Sequence, residues 1–99
     1  MDKFAAIRAF VQVVEAGGFA AAARDMGLSR SAVNKLVITL ETDLGVRLLQ
    51  RSTRKVAPTA TGSAFYERCL GILADLEEAE LAVSQAQAEP MGADRKSVV

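Results

Sequence analysis

GFAAAARDMGLSRSAVNKLVITLETDLG, residues 18–45, reads as two helices of unequal length joined by a sharp turn. At that turn, Met26-Gly27-Leu28-Ser29, a glycine able to take the positive φ that ends one helix precedes a serine whose hydroxyl can accept from the free amides opening the next. In the second helix Ala32, Val33, Val37, Leu40 and Leu44 recur at helical spacing and form an apolar stripe. Its opposite face carries Ser31, Asn34, Lys35, Ile38 and Thr42, with Arg30 at the leading edge. Hydroxyl, amide and cationic groups gathered toward the start of a helix suit the donors and acceptors that base edges present in a DNA major groove.

Upstream, Asp2 is placed to cap a first helix over about residues 3–16, with Phe4, Ile7, Phe10, Val11 and Val14 as its apolar stripe and Gly17 as its stop. Phe19, Ala22, Ala23 and Met26 continue the buried surface, the small alanines letting helix backbones approach closely. The long helix of the opening stretch spans about residues 30–44 and closes at Gly45. Glu41 sits just off its core stripe with no second carboxylate, histidine or nucleophile placed to work with it, so a structural bond to another helix is expected. Ile38 leaves three readings open: a surface residue of no consequence, a contact for a thymine methyl, or part of a subunit contact.

Downstream, VRLLQRSTRKVA (residues 46–57) sets apolar Val46, Leu48, Leu49 and Val56 around a polar, cationic centre, the pattern of a short β-hairpin. Arg51, Thr53, Arg54 and Lys55 then fall at or beside its tip, where arginines can enter a minor groove or meet phosphates. Thr59, after Pro58, is the expected cap of a last helix running to about Ala88 and ended by Pro90 and Gly92. Along it Phe65, Cys69, Ile72, Leu76, Ala79 and Val83 alternate steps of four and three, with Leu73 widening the line. About 29 residues make a rod of roughly 43 Å, longer than the preceding body can cover. Two copies are therefore expected to pair through this seam, with internal packing of its first two turns as the alternative and Cys69 a small buried apolar residue on it.

The 99 residues suit one small domain, and 51% apolar with 5% aromatic residues favours close-packed helices over a β-sandwich. No apolar run reaches the roughly 18 residues of a membrane span, and MDKFAAIRAF has no secretory signal pattern, so a cytoplasmic, nucleoid-associated protein without membrane contact is expected. A lone cysteine cannot form an internal disulfide, and the absence of histidine leaves no expected zinc site. Formal net charge is zero, yet charge is segregated. Residues 24–55 hold Arg24, Arg30, Lys35, Arg47, Arg51, Arg54 and Lys55 against Asp25, Glu41 and Asp43, whereas residues 67–80 hold Arg68 against Glu67, Asp75, Glu77, Glu78 and Glu80. A basic middle can meet phosphate while an acidic segment stays clear of it.

The ordered set Phe10, Val14-Glu15, Gly18-Phe19, Ala21-Ala22-Ala23, Leu28-Ser29, Ser31-Ala32-Val33, Leu40-Glu41, Leu44-Gly45, Leu48, Arg51, Arg54, Thr59 and Gly62 resembles the N-terminal DNA-binding region of LysR-type transcriptional regulators. That resemblance covers roughly residues 2–88. It implies a mainly α fold: a winged helix-turn-helix (residues 1–58, with the helix-turn-helix at about 19–42 and a short β-hairpin wing at about 46–57) and a long dimerisation or linker helix (59–88) pairing antiparallel with its mate. It further implies a hinge, matched by residues 89–99, leading to an effector-binding domain of periplasmic-binding-protein type. No such domain is present in these residues, so the chain reads as a DNA-binding fragment without a cofactor, its small-molecule effector belonging to that domain. Asn34 stands where serine is common in the family.

The expected function is sequence-specific binding of double-stranded DNA by a homodimer, with higher oligomers open to the intact regulator. Arg30, Ser31, Asn34, Lys35 and Ile38 would enter the major groove, and Arg51, Thr53, Arg54 and Lys55 would hold the wing. Asn34 is the expected base reader, bidentate to adenine, while Lys35 can take guanine or phosphate. The alternative is a dimeric helical protein-interaction module whose basic face only solubilises it. No catalytic constellation can be assembled from these residue types.

Overall fold

The computed structural model describes residues 2–52 and 55–88. Along them run α1 (Lys3–Ala16), α2 (Phe19–Met26), α3 (Arg30–Leu44), strands β1 (Leu49–Arg51) and β2 (Val56–Pro58), and α4 (Ala60–Ala88). Thr53 and Arg54, expected at the wing tip, and the expected hinge at 89–99 lie outside the described residues.

Local chemistry sets the helix ends. Asp2 Oδ1 accepts from the Ala5 amide at 3.1 Å to open α1, and Ser29 Oγ accepts from the Ala32 amide at 3.0 Å to open α3. The turn between α2 and α3 depends on Gly27, whose φ of 67° is a left-handed conformation that a side chain would strain. The Leu28 amide then donates back to the Ala23 carbonyl at 3.0 Å, so α2 ends with its last carbonyls satisfied.

Helix α1 packs against α2, α3 and α4 at once. Its buried arc is accordingly wider than one stripe: Ala6, Ile7, Ala9, Phe10, Val11 and Val13 are all enclosed. Phe4, expected in the stripe, is 42% exposed, because it lies one turn before the packed segment. Leu44, at the other end of α3, is likewise 40% exposed. Phe10, Leu40, Leu48 and Leu49 are the largest fully buried side chains, each worth about 1.5–3 kcal/mol of hydrophobic stabilisation. Through Leu48 and Leu49 the approach to the wing is part of this core.

The two strands pair antiparallel with Leu49 opposite Pro58 and Arg51 opposite Val56. Pro58 therefore ends β2 rather than introducing the helix, a place open to it because the edge of a two-stranded ribbon does not require its missing N–H. Thr59 joins wing to helix. Its amide donates to the Leu48 carbonyl at 3.0 Å, its hydroxyl donates to the Arg47 carbonyl at 2.8 Å, and the same oxygen accepts from the Gly62 amide at 2.9 Å as the cap of α4. One turn on, α4 crosses the chain so closely that a Cβ on Gly62 would stand 2.8 Å from the Leu48 carbonyl carbon and overlap its oxygen.

The first part of α4 lies on α1. Phe65 packs against Phe10 with ring centroids 5.8 Å apart, Tyr66 donates its hydroxyl to Glu15 Oε2 at 2.9 Å, and Leu73 touches the core. The bond to the Glu15 carboxylate holds the Tyr66 phenol above its ordinary pKa, since ionisation would set two negative charges together. Cys69, expected on the pairing seam, is fully enclosed in the core of its own chain. The expected pairing line thus splits: Phe65, Cys69 and Leu73 serve the chain's own core, leaving Ile72, Leu76, Ala79 and Val83. No helix among the described residues is long and apolar enough to cross a membrane.

Candidate nucleic-acid interface

Packing Val33, Val37 and Leu40 inward turns the other side of α3 out. Arg30, Ser31 and Lys35 are exposed, Ile38 is 46% exposed, and Asn34 is half-buried. These five residues, assigned from the sequence to one face, do share it. Thr42 continues the exposed line, and Thr39 spends its hydroxyl on the Lys35 carbonyl at 2.8 Å within the helix.

What holds the wing beside this face is Glu41, 7% exposed. Its Oε2 accepts from the Leu48 and Leu49 amides at 2.8 and 3.1 Å, and its Oε1 meets Arg51 Nη1 at 3.2 Å. The expected bond to another helix is therefore replaced by bonds to the chain entering β1. The reason is the reversal at Gly45, where α3 ends with φ 73°, which returns the backbone over the last turn of the helix it has just left. A buried carboxylate is tolerated here because two amides and a guanidinium compensate it.

Arg51, expected to reach phosphate, turns inward. Besides the Glu41 contact, its guanidinium carbon lies 5.4 Å from the centroid of the Phe19 ring, and Nε and Nη2 are buried without a hydrogen-bond partner among the described residues. Its side chain is a strut between wing, α2 and α3. Lys55 remains exposed, at a turn closed by Ser52: the Ser52 amide and hydroxyl both donate to the Lys55 carbonyl, at 3.0 and 3.1 Å, and the Lys55 amide donates to Ser52 Oγ at 3.1 Å.

Two open clefts run between α3 and the wing. One, of about 590 Å³, is lined by Asn34, Ile38, Glu41, Thr42, Gly45, Val46, Arg47 and Arg51; the other, of about 430 Å³, by Phe19, Arg30, Ser31, Asn34, Arg51, Ser52 and Val56. Asn34 and Arg51 line both. Arg47, which sequence reasoning counts only as part of the basic segment, brings an exposed cation to the first cleft. Its signal was its charge just after Gly45, but its direction depends on the Glu41-held reversal. Together the clefts present donors, cations and the apolar side chains of Phe19, Ile38, Val46 and Val56 around a surface with no group of metal-ligating side chains among the described residues.

Comparison with known proteins places this geometry. Residues 4–63 match the family described as bacterial regulatory helix-turn-helix protein, lysR family. An uncharacterized HTH-type transcriptional regulator of Haemophilus influenzae is 45% identical over 92 residues, covering 93% of this chain and 32% of that protein. An HTH-type transcriptional regulator of Xanthomonas campestris pv. campestris is 49% identical over 83 residues, 84% of this chain and 24% of that protein. The chain thus spans about a quarter to a third of these relatives. Among solved structures, the BenM_DBD/catB site 1 DNA complex superposes with a TM-score of 0.83 at 27% identity, over 90% of this chain and 98% of that one. Full-length CbnR complexed with its target DNA gives 0.75 at 40% identity, over 87% of this chain and 29% of that one.

Proposed function

Because the chain belongs to the lysR family of bacterial regulatory helix-turn-helix proteins, we propose that it is the sequence-specific, double-stranded-DNA-binding part of a homodimeric transcriptional regulator. On this reading α3 enters the major groove with Arg30, Ser31, Asn34, Lys35 and Ile38, while Lys55 and Arg47 follow the backbone beside it. Thr53 and Arg54, adjacent to Lys55 in sequence, belong to the same contact. Arg51 stays behind the surface and keeps the wing in place. Ile72, Leu76, Ala79 and Val83, the apolar line that the body leaves uncovered, join two copies so that two reading helices face one operator.

One observation carries the reading: Glu41 on the reading helix grips the backbone that enters the wing, so a cationic, hydroxyl-bearing helix face and a cationic turn are held as one surface. A protein-interaction module would account for the apolar line on α4 equally well, but it gives Arg30, Lys35, Arg47 and Lys55 nothing to do. The relatives named above are transcriptional regulators, and no catalytic step enters the proposal.

Fluorescence anisotropy with random duplex DNA tests it. Micromolar binding at low salt, weakening as salt rises, is expected, and Lys35→Ala and Lys55→Ala should each flatten the slope of log K against log[salt] by about 1. Absence of salt-dependent binding, or slopes unmoved by both substitutions, would refute the assignment.

A further inference from the structure

Three buried polar atoms on the two residues that line both clefts lack a hydrogen-bond partner among the described residues: Asn34 Oδ1, Arg51 Nε and Arg51 Nη2. One is an acceptor and two are donors, and both side chains line the same pair of clefts. No hydrogen bond joins these atoms, but of the two ends of the amide the oxygen is the one whose partial charge suits burial near a guanidinium, so the favoured arrangement keeps the oxygen in and the amide nitrogen out. The opposite rotamer would set the two N–H bonds of Nδ2 against those of Arg51, donor facing donor beside a full positive charge. Arg51 itself has no freedom to follow a rotating amide, since Nη1 is held on Glu41 and the guanidinium lies over Phe19.

We infer that Arg51 positions Asn34 as a donor-only reader, its oxygen sequestered inside the protein and its Nδ2 alone offered to the groove. This rests on the DNA-binding reading above and specifies its base preference. The bidentate pairing with adenine expected from the sequence needs the carboxamide oxygen to accept from adenine N6 while Nδ2 donates to N7, and that oxygen is buried. A head of two N–H donors matches guanine instead, whose N7 and O6 are adjacent acceptors. Adenine satisfies only one of the two donors and sets its own N6 donor against the other. Arg51 touches no base on this account; its effect on sequence preference passes through Asn34.

The test selects bound duplexes from a random pool with the 99-residue chain and its variants. The base pair that loses its preference in Asn34→Ala is the one Asn34 reads, and the unmodified chain should prefer guanine there. Arg51→Lys keeps a cation for Glu41 but removes the fixed planar donors beside Asn34. It should shift that one position toward adenine by about tenfold relative to guanine, leaving the other positions unchanged. Because Arg51→Lys could lower folding stability, a second arm uses the unmodified protein: replacing the selected guanine by 7-deazaguanine, which lacks the N7 acceptor, should weaken binding about tenfold. Adenine preference at the Asn34 position, a folded Arg51→Lys variant whose guanine-over-adenine preference at that position is unchanged, or indifference to 7-deazaguanine would overturn the inference while leaving DNA binding intact. Failure to enrich any sequence would overturn the DNA-binding reading and this inference with it.

Discussion

Up to Leu73, α4 lies against α1, with Cys69 fully enclosed and Phe65 packed at a tilt on Phe10; beyond it Leu81 is 54% and Val83 70% exposed. Both halves carry the same alternation of apolar residues at steps of three and four, so the pattern itself does not distinguish them. The difference is reach. Helix α1 has 14 residues, roughly 21 Å, and α4 has 29, roughly 43 Å, so the body ends about halfway along. The molecule measures 58 × 25 × 21 Å, its long dimension comparable to α4 plus the thickness of the body. One helix therefore does two jobs in sequence. Its first half closes the core around Phe10, and its second half presents an apolar line that nothing among the described residues covers.

The largest expected effect comes from the anchored half. Gly62→Ala places a methyl into the Leu48 carbonyl, and because that atom belongs to backbone held by Glu41 and Thr59 it cannot yield cheaply. We expect a loss of about 3 kcal/mol, read by chemical denaturation, or a fall in Tm of about 12–24 °C for a domain of this size. A variant that melts with the unmodified chain would mean that α4 does not cross the backbone at Leu48 at this distance, and the anchored half of the comparison would fail. Gly71→Ala makes the same substitution nine residues later with the opposite sign. Nothing lies within 4 Å of a Cβ there, so alanine simply improves helix propensity and should stabilise by up to about 1 kcal/mol. A destabilised Gly71→Ala would reveal a neighbour on that face and move the boundary between the two halves.

Legibility followed the same division between local and distant causes. Helices 3–16, 30–44 and the last one to about Ala88 are readable because their limits are written in adjacent residues: Asp2, Ser29 and Thr59 as caps, Gly17, Gly27 and Gly45 as stops. The outward face of α3 is readable because its apolar stripe defines the opposite side. Three features were not readable, each for one reason. Glu41 binds the Leu48 and Leu49 amides, Arg51 folds under the surface onto Glu41 and Phe19, and Cys69 enters the core, and each depends on where the chain goes after a turn. Periodicity names the face a residue occupies but not what the rest of the chain brings to that face. A cation near a hairpin tip thus read as a phosphate contact, although a buried carboxylate three-dimensionally beside it claimed its charge.

The smallest effect on the folded chain is expected in the far half, and it separates the two roles of α4 most sharply. Val83 makes no contribution to the core, so Val83→Asp should change the stability of the isolated chain by less than about 0.5 kcal/mol. Pairing is another matter. If two copies cover each other along Leu76, Ala79 and Val83, folding is linked to association, and the Tm of the unmodified chain must rise with protein concentration. A carboxylate on that line would be desolvated by pairing without a partner, so Val83→Asp should abolish the concentration dependence while leaving the Tm of the dilute protein where it was. A Tm that is already independent of concentration in the unmodified chain would show that the far half does not pair within these 99 residues. A Val83→Asp variant that melts early even when dilute would show that this half packs on its own body.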